Sequence, residues 1–174
     1  MNTKFIDLGL PSGTLWADRN IGADAPEEAG DYFRFGETVP FTETSPEYVY
    51  KDIEGSIAGT KRDAATVILG ENCKMPTFDQ IKELIDECEW EWTNQNGVNG
   101  RKITGPNGNS IFLPASGLRI SSDGSLDIVG SIGYYWSASS SSSDNGRILY
   151  FTSSYWSWNV NYRAFGFPVR PVII

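Results

Sequence analysis

Histidine is absent from the 174 residues. With it go the Ser-His and Cys-His dyads, the histidine zinc sites and the commonest general base, so most hydrolase templates are excluded. Cysteine is nearly as scarce. Cys73 and Cys88 are too few for a disulfide framework, and their spacing matches no metal or redox motif. They read as two small buried hydrophobes, with a single bridge between them as the other reading. No run of 18 apolar residues exists, and the opening Met1-Asn-Thr-Lys-Phe-Ile-Asp-Leu8 lacks the apolar core of a signal peptide, so no membrane insertion is expected. Positive charge is also in short supply: 14 Lys and Arg face 22 Asp and Glu, a net charge of −8. Residues 1–115 hold 10 of these bases against 19 acids, whereas residues 116–174 balance Arg119, Arg147, Arg163 and Arg170 against Asp123, Asp127 and Asp144. Without a basic stripe there is no counterion release to drive nucleic-acid binding, and anionic lipid would repel the chain.

What is abundant is aromatic. Six Trp, nine Phe and eight Tyr against 21% charged residues reverse the signature of disorder, and the length suits one domain. The 18 Gly and 9 Pro cut the apolar residues into short runs, favouring strands and loops over long helices. Phe5–Ala17 reads as two strands around a Pro-Ser-Gly turn, Asp24–Gly30 as a loop or short helix, Tyr32–Phe35 as an aromatic strand, and residues 38–60 as a long surface excursion. Asp63–Leu69 predicts a helical turn or two. Thr77-Phe-Asp-Gln80 fits a capping box, and Ile81, Leu84, Ile85 and Cys88 then form the i, i+3, i+4, i+7 stripe of a packed helix. Arg101–Thr104 and Ser110–Leu113 flank Gly105-Pro-Asn-Gly108 as a hairpin. Aromatic strands alternate with Ser/Asn/Gly loops from Gly133 onward, so the fold class is α+β, a few helices followed by short antiparallel strands.

Chemistry-bearing patterns are few. Gly97-Val-Asn-Gly100 and Gly105-Pro-Asn-Gly108 lack the Lys-Ser/Thr of a phosphate loop and read as hairpin turns. The acids from Glu83 to Glu91 have the spacing of a solvated helix face. Asp144-Asn145 and Asp123/Asp127 offer oxygen ligands without an EF-hand pattern, and turn-forming Asx chemistry accounts for both. No metal and no cofactor are expected.

Several segments carry a family likeness. They are Asp7-Leu-Gly-Leu-Pro-Ser-Gly-Thr-Leu-Trp-Ala17, Gly30-Asp-Tyr-Phe33, Phe35-Gly-Glu-Thr38, Met75-Pro-Thr77 opening a helix, Asn96-Gly-Val-Asn-Gly100, Asn109-Ser-Ile-Phe-Leu-Pro114, Gly133-Tyr-Tyr-Trp-Ser137 and Gly166-Phe-Pro-Val-Arg-Pro-Val172. In this order they resemble the "major paralogous domain" proteins of Bacteroidetes and Fibrobacter, a branch of the C-type-lectin-like fold related to the formylglycine-generating enzyme. The resemblance implies a single C-type-lectin-like ligand-binding domain over residues 1–174, termini close together, and no established catalysis. The formylglycine-generating relatives use a cysteine pair near the C-terminus; here both cysteines precede residue 90, so that activity is not carried over.

Some proteins of this fold are the variable proteins of diversity-generating retroelements, whose C-terminal region is rewritten by adenine-directed mutagenesis. An AAC codon randomised at its adenines never yields Lys, Glu, Gln, Met or Trp. The first four number 21 in residues 1–115 and none in residues 116–174, which suits such a history and marks 116–174 as the candidate variable region. Strand-rich, Ser-rich segments also avoid long charged residues, which is the plain alternative. Trp136, Trp156 and Trp158 are unreachable by such a codon and are expected as buried scaffold. Alternation agrees: Leu149 and Phe151 take the core face while Ile148, Tyr150 and Thr152 take the other, and Trp156, Trp158 and Val160 oppose Tyr155, Ser157, Asn159 and Asn161. With Ser140, Asp144, Asn145, Tyr162, Ala164 and Phe165, these outward residues form the expected ligand-binding set, rich in the Tyr, Ser and Asn that antibody paratopes use. The expectation is a non-enzymatic module that binds a protein or carbohydrate ligand at a cell surface, placed outside the cell or on a phage virion. A fixed-sequence carbohydrate-binding or structural domain of a secreted surface protein is the alternative.

Overall fold

The computed structural model describes residues 2–174. Eleven strands and two helices follow in the order β1 (Phe5–Asp7), β2 (Leu15–Ala17), α1 (Ala64–Leu69), α2 (Phe78–Glu87), β3 (Glu89–Gln95), β4 (Val98–Thr104), β5 (Ser110–Pro114), β6 (Leu118–Arg119), β7 (Leu126–Asp127), β8 (Gly133–Ser140), β9 (Asn145–Phe151), β10 (Trp156–Tyr162) and β11 (Val172–Ile173). The class is α+β and mostly β: four small sheets, ordered β1-β2-β11, β10-β9-β8, β3-β4-β5 and β6-β7, with antiparallel pairing throughout the named strands.

Local chemistry places the helices. Asp63 caps α1, its Oδ1 accepting from the Ala65 and Thr66 N–H groups at 2.8 and 3.2 Å, and the same buried carboxylate also takes the Met75 and Gly59 N–H groups. Thr77 Oγ1 accepts from Gln80 N at 3.2 Å while Gln80 Oε1 accepts from Thr77 N at 2.8 Å, a reciprocal box that starts α2. Of the α2 stripe, Ile81 and Leu84 are fully buried, whereas Ile85 and Cys88 pack on the core rim. Between β3 and β4 the turn is Asn96-Gly97, both at positive φ (50° and 87°), so Val98–Gly100 belongs to β4. Tyr32–Phe35 forms no strand. Phe33 exchanges single hydrogen bonds with Phe167, no third strand extends the ladder, and the aromatic side chains are spent on packing. Residues 24–30 turn without a helix.

The sheet β10-β9-β8 divides the interior. On one face Tyr135, Leu149 and Phe151 join a core with Leu8, Trp16, Ile81, Leu84, Trp90 and Ile103. On the other, Trp136, Ala138 and Ile148 join Phe33, Phe35, Met75, Phe167 and Val169. A strand buried on both faces has no polar side to show, and β8 and β9 carry apolar residues in both parities. Two glycines let the large rings lie flat on the strands: a Cβ at Gly146 would stand 2.8 Å from the Trp136 ring and 2.9 Å from Phe35, and one at Gly133 would enter the Phe151 ring. The chain ends meet at β2, where Trp16 pairs with Val172 and Leu15 with Ile173. Buried Arg170 ties the same region, donating to Asn20 Oδ1, Ala17 O and Phe112 O at 2.8, 3.1 and 2.7 Å; burial lowers its pKa to about 10.

Cys73 and Cys88 are free and half-buried on different cores, so neither of the two sequence readings is met in full. Burial, then Glu83 and Glu87, push the Cys88 thiol from 9.0 to about 11. The folded chain therefore holds that proton more tightly than the unfolded one: the stability it contributes is complete below pH 9 and is lost as pH rises toward 11. Urea melts should show a loss of under about 1 kcal/mol between about pH 8.5 and pH 10, the thiol being half-exposed, and Cys88→Ala should flatten it. Equal pH dependence in both proteins would show that the thiol is solvated.

Candidate functional site

Among the strands of its sheet, β10 is the one left with an open edge near the candidate residues. Thr152 N donates to Tyr155 O and Arg163 N to Asp144 O, which fixes the hydrogen-bonding parity of β9 with β10. Tyr155, Ser157, Asn159 and Asn161 therefore turn their backbone toward β9, and Trp156, Trp158, Val160 and Tyr162 turn theirs outward. Two of the outward N–H groups are satisfied locally: Val160 N donates to Asn159 Oδ1 and Tyr162 N to Asn161 Oδ1, each at 2.8 Å.

The expected alternation holds in β10, but neither of its faces is buried. Tyr155 (56%), Tyr162 (58%) and Asn159 are exposed, with Ser157 and Asn161 half-buried. Trp156 and Trp158, expected as core, are 38% and 44% exposed, because β10 projects past the edge of the core that β9 covers. Ile148 corrects the other half of the pattern. Assigned to the binding set, it is 1% exposed, since the second core with Trp136 and Phe167 lies against the face that the period-two rule assigned to solvent. Tyr150 and Phe165 are half-buried against that core, and Thr152 and Ala164 are also intermediate.

From this face a continuous row of rings runs to the end of β10, where Tyr162, of the same parity as Trp156 and Trp158, closes it. Tyr155 to Tyr150 is 6.2 Å between centroids, Tyr150 to Tyr134 5.4 Å, Tyr134 to Phe167 5.0 Å, Phe167 to Phe165 6.3 Å and Phe165 to Tyr162 6.0 Å. Buried Phe167 sits in the middle, and the exposed Tyr155 and Tyr162 close the ends. Rings at these separations support one another's orientation, so the surface is preset at small rotamer cost. Tyr134 was not singled out in the sequence. Its parity with Trp136 across Gly133–Ser140 would have put it here; burial, then Tyr150 and Asp127, raise its pKa.

The remaining candidates cluster at the β8–β9 tip. Asn145 pairs with Tyr162 across the ladder, Asp144 is exposed and 3.6 Å from Lys51 Nζ, and Ser140 lines a cleft of about 340 Å³ with Ser141–Ser143 and residues 51–55. Under this tip lies Arg163, 1% exposed, donating to the carbonyls of Asn145, Tyr50, Ile53 and Ser142 at 3.2, 3.1, 2.7 and 2.6 Å. A guanidinium bonded to four carbonyls locks the tip to the 50–53 loop. Ala164 lies at the rim of another cleft, of about 560 Å³, so the candidate set is brought together except for Ile148, with Ser140 and Ala164 at its margins. Asp123 Oδ1 accepts from Ser125 N and Oγ, and Asp127 Oδ1 from Ile128 N; among the described residues no group of three acids, cysteines or histidines is placed to hold a metal.

The reverse face of β10 was missed in the sequence. Trp156 stacks on Trp90 at 6.5 Å with Arg101 at 4.6 Å from its ring, and Trp158 meets Phe78 edge-on at 4.9 Å with Arg147 at 5.7 Å. These contacts orient the two indoles without burying them.

Residues 68–172 match the family described as Domain of unknown function (DUF8237). The chain belongs to that family. No curated protein and no solved structure matches it. The DUF8237 match runs from the last residues of α1 to the first of β11, so it takes in α2, the β3-β4-β5 sheet, both faces of β8 and β9, and the whole ring row with its Arg163 support.

Proposed function

We propose that this DUF8237 chain is a non-enzymatic binding module of C-type-lectin-like fold, which recognises a protein or carbohydrate ligand through the face formed by Tyr150, Tyr155, Ser157, Asn159, Asn161, Tyr162 and Phe165. One observation carries it: a row of six rings, exposed at both ends, bordered by Ser and Asn on an edge strand and braced by the buried Phe167 and Arg163. Tyrosine gives broad contact at low entropic cost, and Ser and Asn adapt their hydrogen bonds. The pairing of β2 with β11 beside both chain ends is in keeping with the lectin-like reading. Display at a cell surface or on a virion is the setting in which such a face would act. The residues of this face are also those an adenine-randomised AAC codon can supply, which favours a diversified binder. A fixed-sequence carbohydrate-binding domain is the second reading, favoured by the half-exposed indoles of Trp156 and Trp158, since sugars stack on such rings.

Screening the chain against a glycan array and a library of displayed surface proteins tests the proposal. In the variant carrying Tyr155→Ala and Tyr162→Ala, the hits should weaken by about 2 kcal/mol or more for each anchor lost, while stability changes by about 0.5 kcal/mol per site at most. Hits that survive both changes and vanish with Trp158→Ala would move recognition to the reverse face. Carboxylate-dependent turnover of a glycoside or ester would overturn the non-enzymatic reading. A template repeat beside the gene that differs from it at adenines would decide for diversification.

A further inference from the structure

The excursion over residues 38–60 and the residues before α1 enclose a cleft of about 280 Å³ that the ring row does not use. Its charged lining is Arg34, Lys61, Arg62 and Glu37, three cations against one carboxylate in a chain of net charge −8. Arg34 Nε donates to Glu37 Oε2 at 2.7 Å, but Lys61 and Arg62 are in no ion pair among the described residues. The Arg34 side chain is only 4% exposed, and its two Nη groups have no hydrogen-bond partner among the described residues. Among the described residues the side-chain polar atoms that are both sealed from solvent and unpaired are Trp16 Nε1 and Arg119 Nε, so the Arg34 Nη groups are not fully sealed; Arg34 lines both this cleft and a larger one beside it. A buried guanidinium with free, reachable donors gains more from an anion than one in open water.

The groups are also held in place. Phe41 and Tyr48 lie 4.4 and 5.6 Å from the Arg34 guanidinium, and the Arg62 guanidinium sits 3.9 Å from the Tyr50 ring centroid. Tyr50 is itself fixed, its carbonyl accepting from Tyr48 Oη at 3.0 Å and from Arg163 Nη1 at 3.1 Å. Val39, Pro40 and Pro46 give the cleft an apolar wall. The cleft of about 560 Å³ that shares Arg34 differs in sign, setting Glu43, Glu47 and Asp123 against Arg34 and Lys51, and would repel an anion. The smaller cleft sits near the lower bound of about 300 Å³ for small-molecule sites, room for one anionic group on a short ring-sized body.

We propose that this cleft is a binding site for a small oxyanion-bearing ligand, its carboxylate or sulfate held by the Arg34 and Arg62 guanidiniums with Lys61 nearby and its body against Tyr50, Val39 and Pro40. Titration of the full chain at low ionic strength, followed by NMR or calorimetry, tests it with three probes: glucuronate, inorganic sulfate and neutral glucose. Glucuronate or sulfate should saturate and glucose should not. The dissociation constant should rise at least about tenfold in Arg62→Gln, the effect of losing one charge-assisted hydrogen bond, and again on adding salt. Arg62 is partly solvent-facing, so Arg62→Gln should keep its melting temperature, where Arg34→Gln need not. Tighter glucuronate assigns a carboxylate on a sugar ring; sulfate binding equally well assigns the bare anion. No saturation by either anion, or binding unchanged in Arg62→Gln, would overturn the site.

Discussion

Trp136→Ala should lower the free energy of unfolding by about 3 to 5 kcal/mol. Its indole is fully buried, meets Phe35 at 5.5 Å and Phe167 at 4.5 Å, lies over Gly146, and donates its Nε1–H to Phe33 O at 2.6 Å. Removing it empties the second core beneath the ring row and takes one of two donors from the Phe33 carbonyl, which keeps the Phe167 N–H at 3.0 Å. Trp158→Ala should cost under about 1 kcal/mol, since that ring is 44% exposed, edge-on to Phe78 and beside Arg147. Urea melts of both variants check the contrast, and similar losses would show that β10 is packed more deeply than its exposure implies.

Arg163→Leu is expected to destabilise by at least about 3 kcal/mol. Four carbonyls, on Asn145, Tyr50, Ile53 and Ser142, accept from this one guanidinium; those of Asn145, Tyr50 and Ser142 have at least one further donor each, and among the described residues no carboxylate pairs with Arg163. Leucine keeps much of the volume but none of the donors. Arg163→Lys should recover only a fraction, because one ammonium cannot reproduce the spread of Nε, Nη1 and Nη2. Hydrogen exchange should then rise at the β8–β9 tip and over residues 50–53 before it rises in α2. Uniform loosening of the whole chain would show that Arg163 supports the global core and not the tip.

Local signals were the legible part of the sequence. Thr77 and Gln80 announced α2, residues 63–69 announced α1, and Gly105–Gly108 announced a hairpin, because caps and tight turns depend on residues a few positions apart; the other turn, read at Gly97–Gly100, falls instead at Asn96-Gly97. Alternation correctly sorted Trp156, Trp158 and Val160 from Ser157, Asn159 and Asn161. It failed where it had to say which side is buried. Ile148 and Leu149 point opposite ways and both are buried, because a core of Phe33, Phe35 and Phe167, drawn from distant parts of the chain, covers the face that period-two reasoning assigned to water. Trp156 and Trp158 failed in the opposite sense: tryptophan usually signals core, yet here the strand runs beyond the layer that would have covered it. The Arg34–Arg62 cleft left no sequence pattern at all, since its members meet through a loop of irregular structure.

The two asparagines of β10 have a consequence beyond the proposed recognition. An open strand edge invites the same strand of another molecule, and the more so when aromatic side chains flank it. By turning their amide oxygens onto the Val160 and Tyr162 N–H groups, Asn159 and Asn161 occupy the donors that such a neighbour would use. A change at either position that removes the side-chain acceptor therefore uncovers the means of self-association, whatever it does to the proposed recognition, so solubility limits the residues tolerated there.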